Sequence, residues 1–146
     1  MKVYLDNCCY NRPFDEQDQN LIIIETEAKL IIQNRIKQGV HALVWSFMLD
    51  SENDENPSED KKAVISPWKN VALEYCSATD GILKNAKEYM NLGFKHKDAI
   101  HLACAVKHNC NYLISTDKKY VNKNNLIQEI EIVNPITFLL ETEETR

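Results

Sequence analysis

Four segments of this chain each carry a carboxylate near the end of a strand-like run or the start of a helix-like one. They are KVYLDN (Asp6), ALVWSFMLDSE (Asp50 and Glu52), KHKDAIHLACA (Asp98) and YLISTD (Asp117). Acids gathered at one place repel, and they cannot all ionise unless something positive sits among them. The usual counter-charge is a hard divalent cation, Mg²⁺ or Mn²⁺, bound through oxygen. An ion held this way activates water and clamps a phosphate. The chemistry to expect is phosphodiester hydrolysis.

The elements must bring these segments together. Lys2 to Leu5 reads as a short buried strand, and Asn11-Arg12-Pro13 as a break. From Asp15 to about Lys37 the apolar positions Leu21, Ile24, Ala28, Ile31, Ile32 and Ile36 recur at helical spacing, and Gly39 ends the helix. His41 to Trp45 reads as a second strand, with a helix from near Phe47. Ser58 opens another helix, which Pro67 ends, and Val71 to Cys76 suggests a third strand. Thr79 caps a helix that Gly93 closes, and Lys97 to His108 forms the next, with Ile100, Ala103, Cys104 and Val106 inward. Tyr112 to Ser115 is a strand, followed by a short helix around Lys118 to Asn124. Ile130 to Val133 is the last strand, and Pro135 opens a final helix carrying Ile136, Phe138, Leu139 and Leu140. Residues 141–146 read as a frayed tail.

Strands that alternate with helices imply a mainly parallel sheet covered on both faces. Ligands of such sheets bind outside the carboxyl ends of the strands. Asp6 and Asp117 follow strands directly, and the other acids open helices, so all can converge on one edge. Each has a plainer reading. Asp6 could make a turn, Asp98 or Asp117 could cap a helix, and Asp50 and Glu52 could complement a helix dipole. The convergence, and no single acid, carries the argument.

The 146 residues, 44% of them hydrophobic, suit one domain spanning 1–146 with its own core. No long apolar stretch suggests a leader or a membrane span, so a cytoplasmic protein is expected. The five cysteines include the adjacent Cys8 and Cys9 and no CxxC pair, which favours reduced packing residues over a zinc site. A net charge of −5 argues against a general nucleic-acid binder. The acids nevertheless have basic neighbours: Arg12 after Asp6, Lys95, His96 and Lys97 before Asp98, and Lys118, Lys119 and Lys123 after Asp117. These could hold a phosphate backbone, or be solvated lysines at helix ends. Ser115 and Thr116 could orient a carboxylate or a water, as could Asn7. His101, three residues after Asp98, could be a ligand or a packed helix histidine. Glu25 and Glu27 could face the site or solvent, and Trp45 and Trp68 read as core.

The ordered set YLDN, DAIHLA and LISTD resembles the PIN domain nucleases, over essentially the whole chain. The resemblance implies a three-layer α/β/α fold around a twisted, mainly parallel five-stranded sheet. It implies Mg²⁺ or Mn²⁺ at the acids and cleavage of single-stranded RNA. Asp6 matches the first acid of the family, Asp98 the acid of DAIHLA, and Asp117 the acid after LIST, with Thr116 at the family's hydroxyl position. Glu52 fits the second acid through the form SxxLxxE, with Asp50 as the fallback. On this reading Asp6, Glu52, Asp98 and Asp117 are the catalytic and metal-binding residues, and Arg12, Ser115, Thr116 and Lys118 contact substrate. Many small members are toxins silenced by an antitoxin protein, and pairing into homodimers is common, so both partners stay open. A non-catalytic PIN-like module that binds RNA or protein is the alternative. A small-molecule phosphatase is disfavoured, because position 8 is cysteine where a DxD nucleophile motif needs an acid.

Overall fold

The computed structural model describes residues 1–15 and 19–143. Five strands alternate with helices: β1 (Lys2–Leu5), α1 (Asn7–Asn11), α2 (Asn20–Lys37), β2 (Ala42–Ser46), α3 (Phe47–Asp54), α4 (Glu59–Ile65), α5 (Trp68–Val71), β3 (Glu74–Cys76), α6 (Asp80–Leu92), α7 (His96–Lys107), β4 (Tyr112–Ile114), α8 (Lys118–Val121), β5 (Glu131–Val133) and α9 (Pro135–Glu143). The helix starts follow from local chemistry. Ser46, Ser58 and Thr79 accept from the backbone N–H three residues on, at 3.2–3.3 Å, and Asn134 does the same for Thr137 at 2.7 Å. Gly93, at φ 115°, closes α6 in a left-handed conformation that costs a side-chain-bearing residue strain.

All four strand pairings are parallel, in the order β3-β2-β1-β4-β5. Register sets Tyr4 beside Val44 and Leu113 on one face, and Val3 beside Leu43 and Tyr112 on the other. The Tyr4 ring meets His101 of α7, whereas the Tyr112 ring meets Phe138 of α9. Helices therefore cover both faces, with α6 packed on α7 and α2 on α9. This is the three-layer α/β/α architecture expected. Because chain order runs outward from β1 on one side and jumps to β4 on the other, a crevice opens between the carboxyl ends of β1 and β4.

Several boundaries differ from the sequence reading. A 3-10 turn at Arg12–Phe14, set by Pro13, precedes α2, which begins at Asn20; residues 16–18 lie outside the described residues. The third strand is shorter than Val71–Cys76, because Trp68 to Val71 form a helical turn that buries the Trp68 ring. The α2 face against the core is Glu25, Ala28, Lys29, Ile32, Gln33 and Ile36, so Leu21, Ile24 and Ile31 point outward. On α9, Phe138 is buried but Leu140 is exposed, and the helix continues through Glu143; residues 144–146 lie outside the described residues. Among the described residues no helix is long and apolar enough to cross a membrane.

Candidate active site

Asp6 follows β1 directly. Its backbone N–H extends the sheet by donating to Ile114 at 2.9 Å, and its carboxylate caps α1 through the Asn7 N–H at 2.8 Å. Ser115 donates to the second carboxylate oxygen at 2.9 Å, and the Cys8 thiol lies 3.4 Å from it. The side chain is buried and held from three directions. Ser115 itself is fully buried and also accepts the Asp117 N–H at 3.1 Å. It positions two acids and has no surface to offer a substrate, which corrects its expected role.

Asp117 caps α8 with one oxygen, which accepts from the N–H groups of Lys119 and Tyr120 at 3.0 and 3.4 Å. Asp98 stands in the first turn of α7, and its backbone carbonyl accepts from the Tyr120 hydroxyl at 2.7 Å. Burial, then the nearby charges of Asp6 and Asp117, push the Asp98 carboxyl up to about 6, against the pull of His101 and Lys123. Three of the acids are thus electrostatically one group.

Glu52 projects from α3 and is hydrogen-bonded to His101 Nε2. His101 is buried, with its Nδ1 2.5 Å from the Tyr4 hydroxyl, which lies 2.6 Å from Ser46 Oγ. His101 Nε2 also stands 3.6 Å from Asp6 Oδ1. Burial alone would pull the imidazole pKa down. The hydrogen bond to Glu52 and the charges of Asp6, Glu52 and Asp98 outweigh it and raise the value. The acids around His101 therefore favour its protonated form, which makes it a candidate counter-charge for them.

Asp50 belongs elsewhere. It accepts from Trp45 Nε1 at 2.8 Å, Lys69 Nζ at 3.1 Å and the Tyr75 hydroxyl at 2.5 Å. Burial raises its pKa, but these donors prevail and hold it below the ordinary value. Asp50 is thus held in a cluster away from the cleft that Glu52 lines.

Asp6, Glu52, Asp98 and Asp117 all line one cleft of about 570 Å³ at the carboxyl edge of the sheet. Lys95, His96 and Lys97 stand on its wall, with Asn7, Asn11, Asp15, Cys8 and His101. Arg12, Thr116 and Lys118 are not among the lining residues. Arg12 pairs with Asp15 at 3.0 Å and lies 3.7 Å from Glu25, while Thr116 and Lys118 line a second, smaller cavity. Of the residues the sequence reading passed over, Tyr4, Asn11 and Asp15 are the notable ones. Asn11 sits four residues after Asn7 on α1, a spacing that could have added it to Asn7. Cys8 is more than packing, since its sulfur accepts the Thr116 N–H at 3.3 Å beside Asp6.

The donor set suits a hard divalent cation, being carboxylate oxygens. As the side chains stand, no group of three or more His, Cys, Asp or Glu among the described residues is close enough to hold an ion. The reason is visible in the hydrogen bonds. Glu52 turns to His101, and Asp117 turns one oxygen to its helix.

No family model matches the sequence, and no curated protein matches it. In structure the chain is similar to one in the crystal structure of VapBC2 from Rickettsia felis bound to a DNA fragment from their promoter. The match has a TM-score of 0.59 and 12% sequence identity, and covers 92% of this chain and 98% of that one. At that identity the likeness is one of fold. The fold is PIN-like, as the sequence motifs implied.

Proposed function

We propose that the protein is a metal-dependent endoribonuclease that hydrolyses phosphodiester bonds of single-stranded RNA. The observation that carries this reading is the meeting of Asp6, Glu52, Asp98 and Asp117, from four separate elements, in one cleft. Mg²⁺ or Mn²⁺ bound by these acids would activate water and steady the leaving oxygen. The chain's own residues prepare that arrangement. Ser115 and the start of α1 fix Asp6. Lys95 and Lys97 supply positive charge to a phosphate backbone entering the cleft.

The fold likeness to VapBC2 supports reading the protein as the toxin of a toxin–antitoxin pair. Leu21, Ile24, Ile31 and Leu140 are exposed large apolar side chains, and Ile24, Ile31 and Leu140 line a shallow groove between α2 and α9. Such a strip supports a protein partner, whether an antitoxin or a second copy.

One observation favours the alternative, a PIN-like module that binds RNA or protein without cutting it. His101 stands 3.6 Å from Asp6 and is hydrogen-bonded to Glu52, a position from which its protonated form would offset them without a metal. Cleavage of a labelled single-stranded RNA with Mn²⁺, Mg²⁺ or EDTA, beside an Asp98→Asn variant, decides between the two. Metal-dependent cutting that the variant loses supports the nuclease. Intact RNA throughout, with no metal binding by calorimetry, supports the binding module.

A further inference from the structure

A second cavity, of about 180 Å³, opens at the carboxyl ends of β4 and β5, lined by Leu21, Glu25, Thr116, Lys118, Asn122 and Asn134 among others. Thr116 and Asp117 are consecutive, one walling this cavity and the other the acidic cleft. Their Cα atoms are about 3.8 Å apart, as across any trans peptide. Arg12 joins the two spaces from the other side, paired with Asp15 of the cleft and 3.7 Å from Glu25 of the cavity.

We propose that this cavity takes one base of the single-stranded RNA, that the base is guanine, and that Glu25 is the residue that selects it. The proposal rests on the ribonuclease reading, since it places the base beside the phosphate held at the acids.

The size fits one base, being well below the roughly 300–1,000 Å³ of pockets for drug-sized ligands. Leu21 and Val121 offer apolar surface to a flat ring. Glu25 is almost fully buried on α2, a costly place for a carboxylate, with Arg12 3.7 Å away and Lys118 also acting on it. A carboxylate accepts two hydrogen bonds side by side. Of the four bases, guanine alone offers two adjacent N–H donors on its Watson–Crick edge, N1–H and the N2 amine. Adenine and cytosine set a ring-nitrogen acceptor beside their amine, and uracil has one N–H between two carbonyls. Guanine's O6 then needs a donor. Lys118 provides an ammonium, and Asn134 provides an NH₂, because its amide oxygen is spent capping α9. Single-stranded RNA is commonly read in this way, by splayed bases hydrogen-bonded along that edge.

The test is fluorescence anisotropy with Asp98→Asn protein, which keeps the RNA intact. The probes are labelled oligouridines carrying one central guanosine, inosine or adenosine. Inosine lacks only the N2 amine. The guanosine oligomer should bind about tenfold more tightly than the other two, the discrimination typical of a bidentate base contact. Adding Glu25→Gln should abolish the difference. So should Leu21→Trp, which fills the cavity from its exposed rim without removing a hydrogen-bonding group. Equal affinity for the three oligomers, or a preference that survives both substitutions, overturns the proposal. Mapping of cut sites by the unsubstituted protein is the separate arm. If nothing is cut, the ribonuclease reading fails, while the binding series still decides the pocket.

Discussion

His101 and Glu52, on helices α7 and α3, are hydrogen-bonded across the candidate active site, and the other imidazole nitrogen meets the Tyr4 hydroxyl at 2.5 Å. The chain Ser46–Tyr4–His101–Glu52 runs from the sheet interior to the cleft. Removing its middle takes one partner from Tyr4, which keeps Ser46, and one from Glu52 at the cleft wall, and it empties a buried site. His101→Ala should therefore cost about 2–3 kcal/mol, read as a lower midpoint in urea denaturation. Tyr4→Phe should cost about 1 kcal/mol, because Ser46 keeps its bond to the Leu49 N–H. Unchanged midpoints in both variants would mean that the chain is not formed.

Asp98 gives a pH dependence with a definite sign. Its carboxyl is raised from 3.8 to about 6 in the fold, so the folded protein holds this proton after the unfolded chain has lost it. The stability it contributes is fully present below about pH 4 and is lost as pH rises through about 6. The undiscounted loss is about 3 kcal/mol. Asp98 is only half-buried, and screening reduces this to about 1 kcal/mol. In EDTA, Asp98→Asn should be more stable than the unsubstituted protein at pH 7.5 by about that amount. The gap should close toward pH 4. A gap that widens on acidification would contradict the assignment.

Glu52 and Asp50 separate cleanly by experiment. Asp50→Ala removes the partner of Trp45, Lys69 and Tyr75. It should lower stability by about 1–3 kcal/mol and leave metal-dependent cleavage within a few-fold. Glu52→Gln should keep most of the stability, since an amide still pairs with His101, and should lose cleavage. Cleavage that follows Asp50 and not Glu52 would reverse the choice of second acid.

Much of this was legible in the sequence, and the failures have physical causes. Asp6, Asp98 and Asp117 were readable because strand ends and helix starts are marked by local chemistry, and parallel topology sends those ends to one edge. Asp50 and Glu52 lie two apart on one short helix, and local pattern cannot say which side faces the cleft. Packing decides it, through donors from three other parts of the chain. The α2 face was misjudged because isoleucines and leucines surround that helix. Glu25 and Lys29 are buried instead, with Arg12 3.7 Å from one and the Tyr10 ring of α1 under the other. Ser115 was placed near the right atoms with the wrong task, since a serine beside an acid reads alike whether it faces inward or outward.

The acids and His101 together make a last prediction, on metal binding without turnover. If Glu52 is a ligand, a divalent ion competes with His101 for its carboxylate, so binding is opposed by that hydrogen bond. Net stabilisation should still appear, because the ion relieves the repulsion that raises Asp98. At an Mn²⁺ concentration of a hundred times Kd, linkage gives about 2.7 kcal/mol. A thermal melt in Mn²⁺ against EDTA should show this as a rise in Tm, at pH 7.5 more than at pH 5.5, where the proton on Asp98 competes. Asp6→Asn should remove most of the rise. A Tm that ignores Mn²⁺ in the unsubstituted protein at both pH values would mean that His101 is the counter-charge this cleft uses, and would return the protein to the binding-module reading.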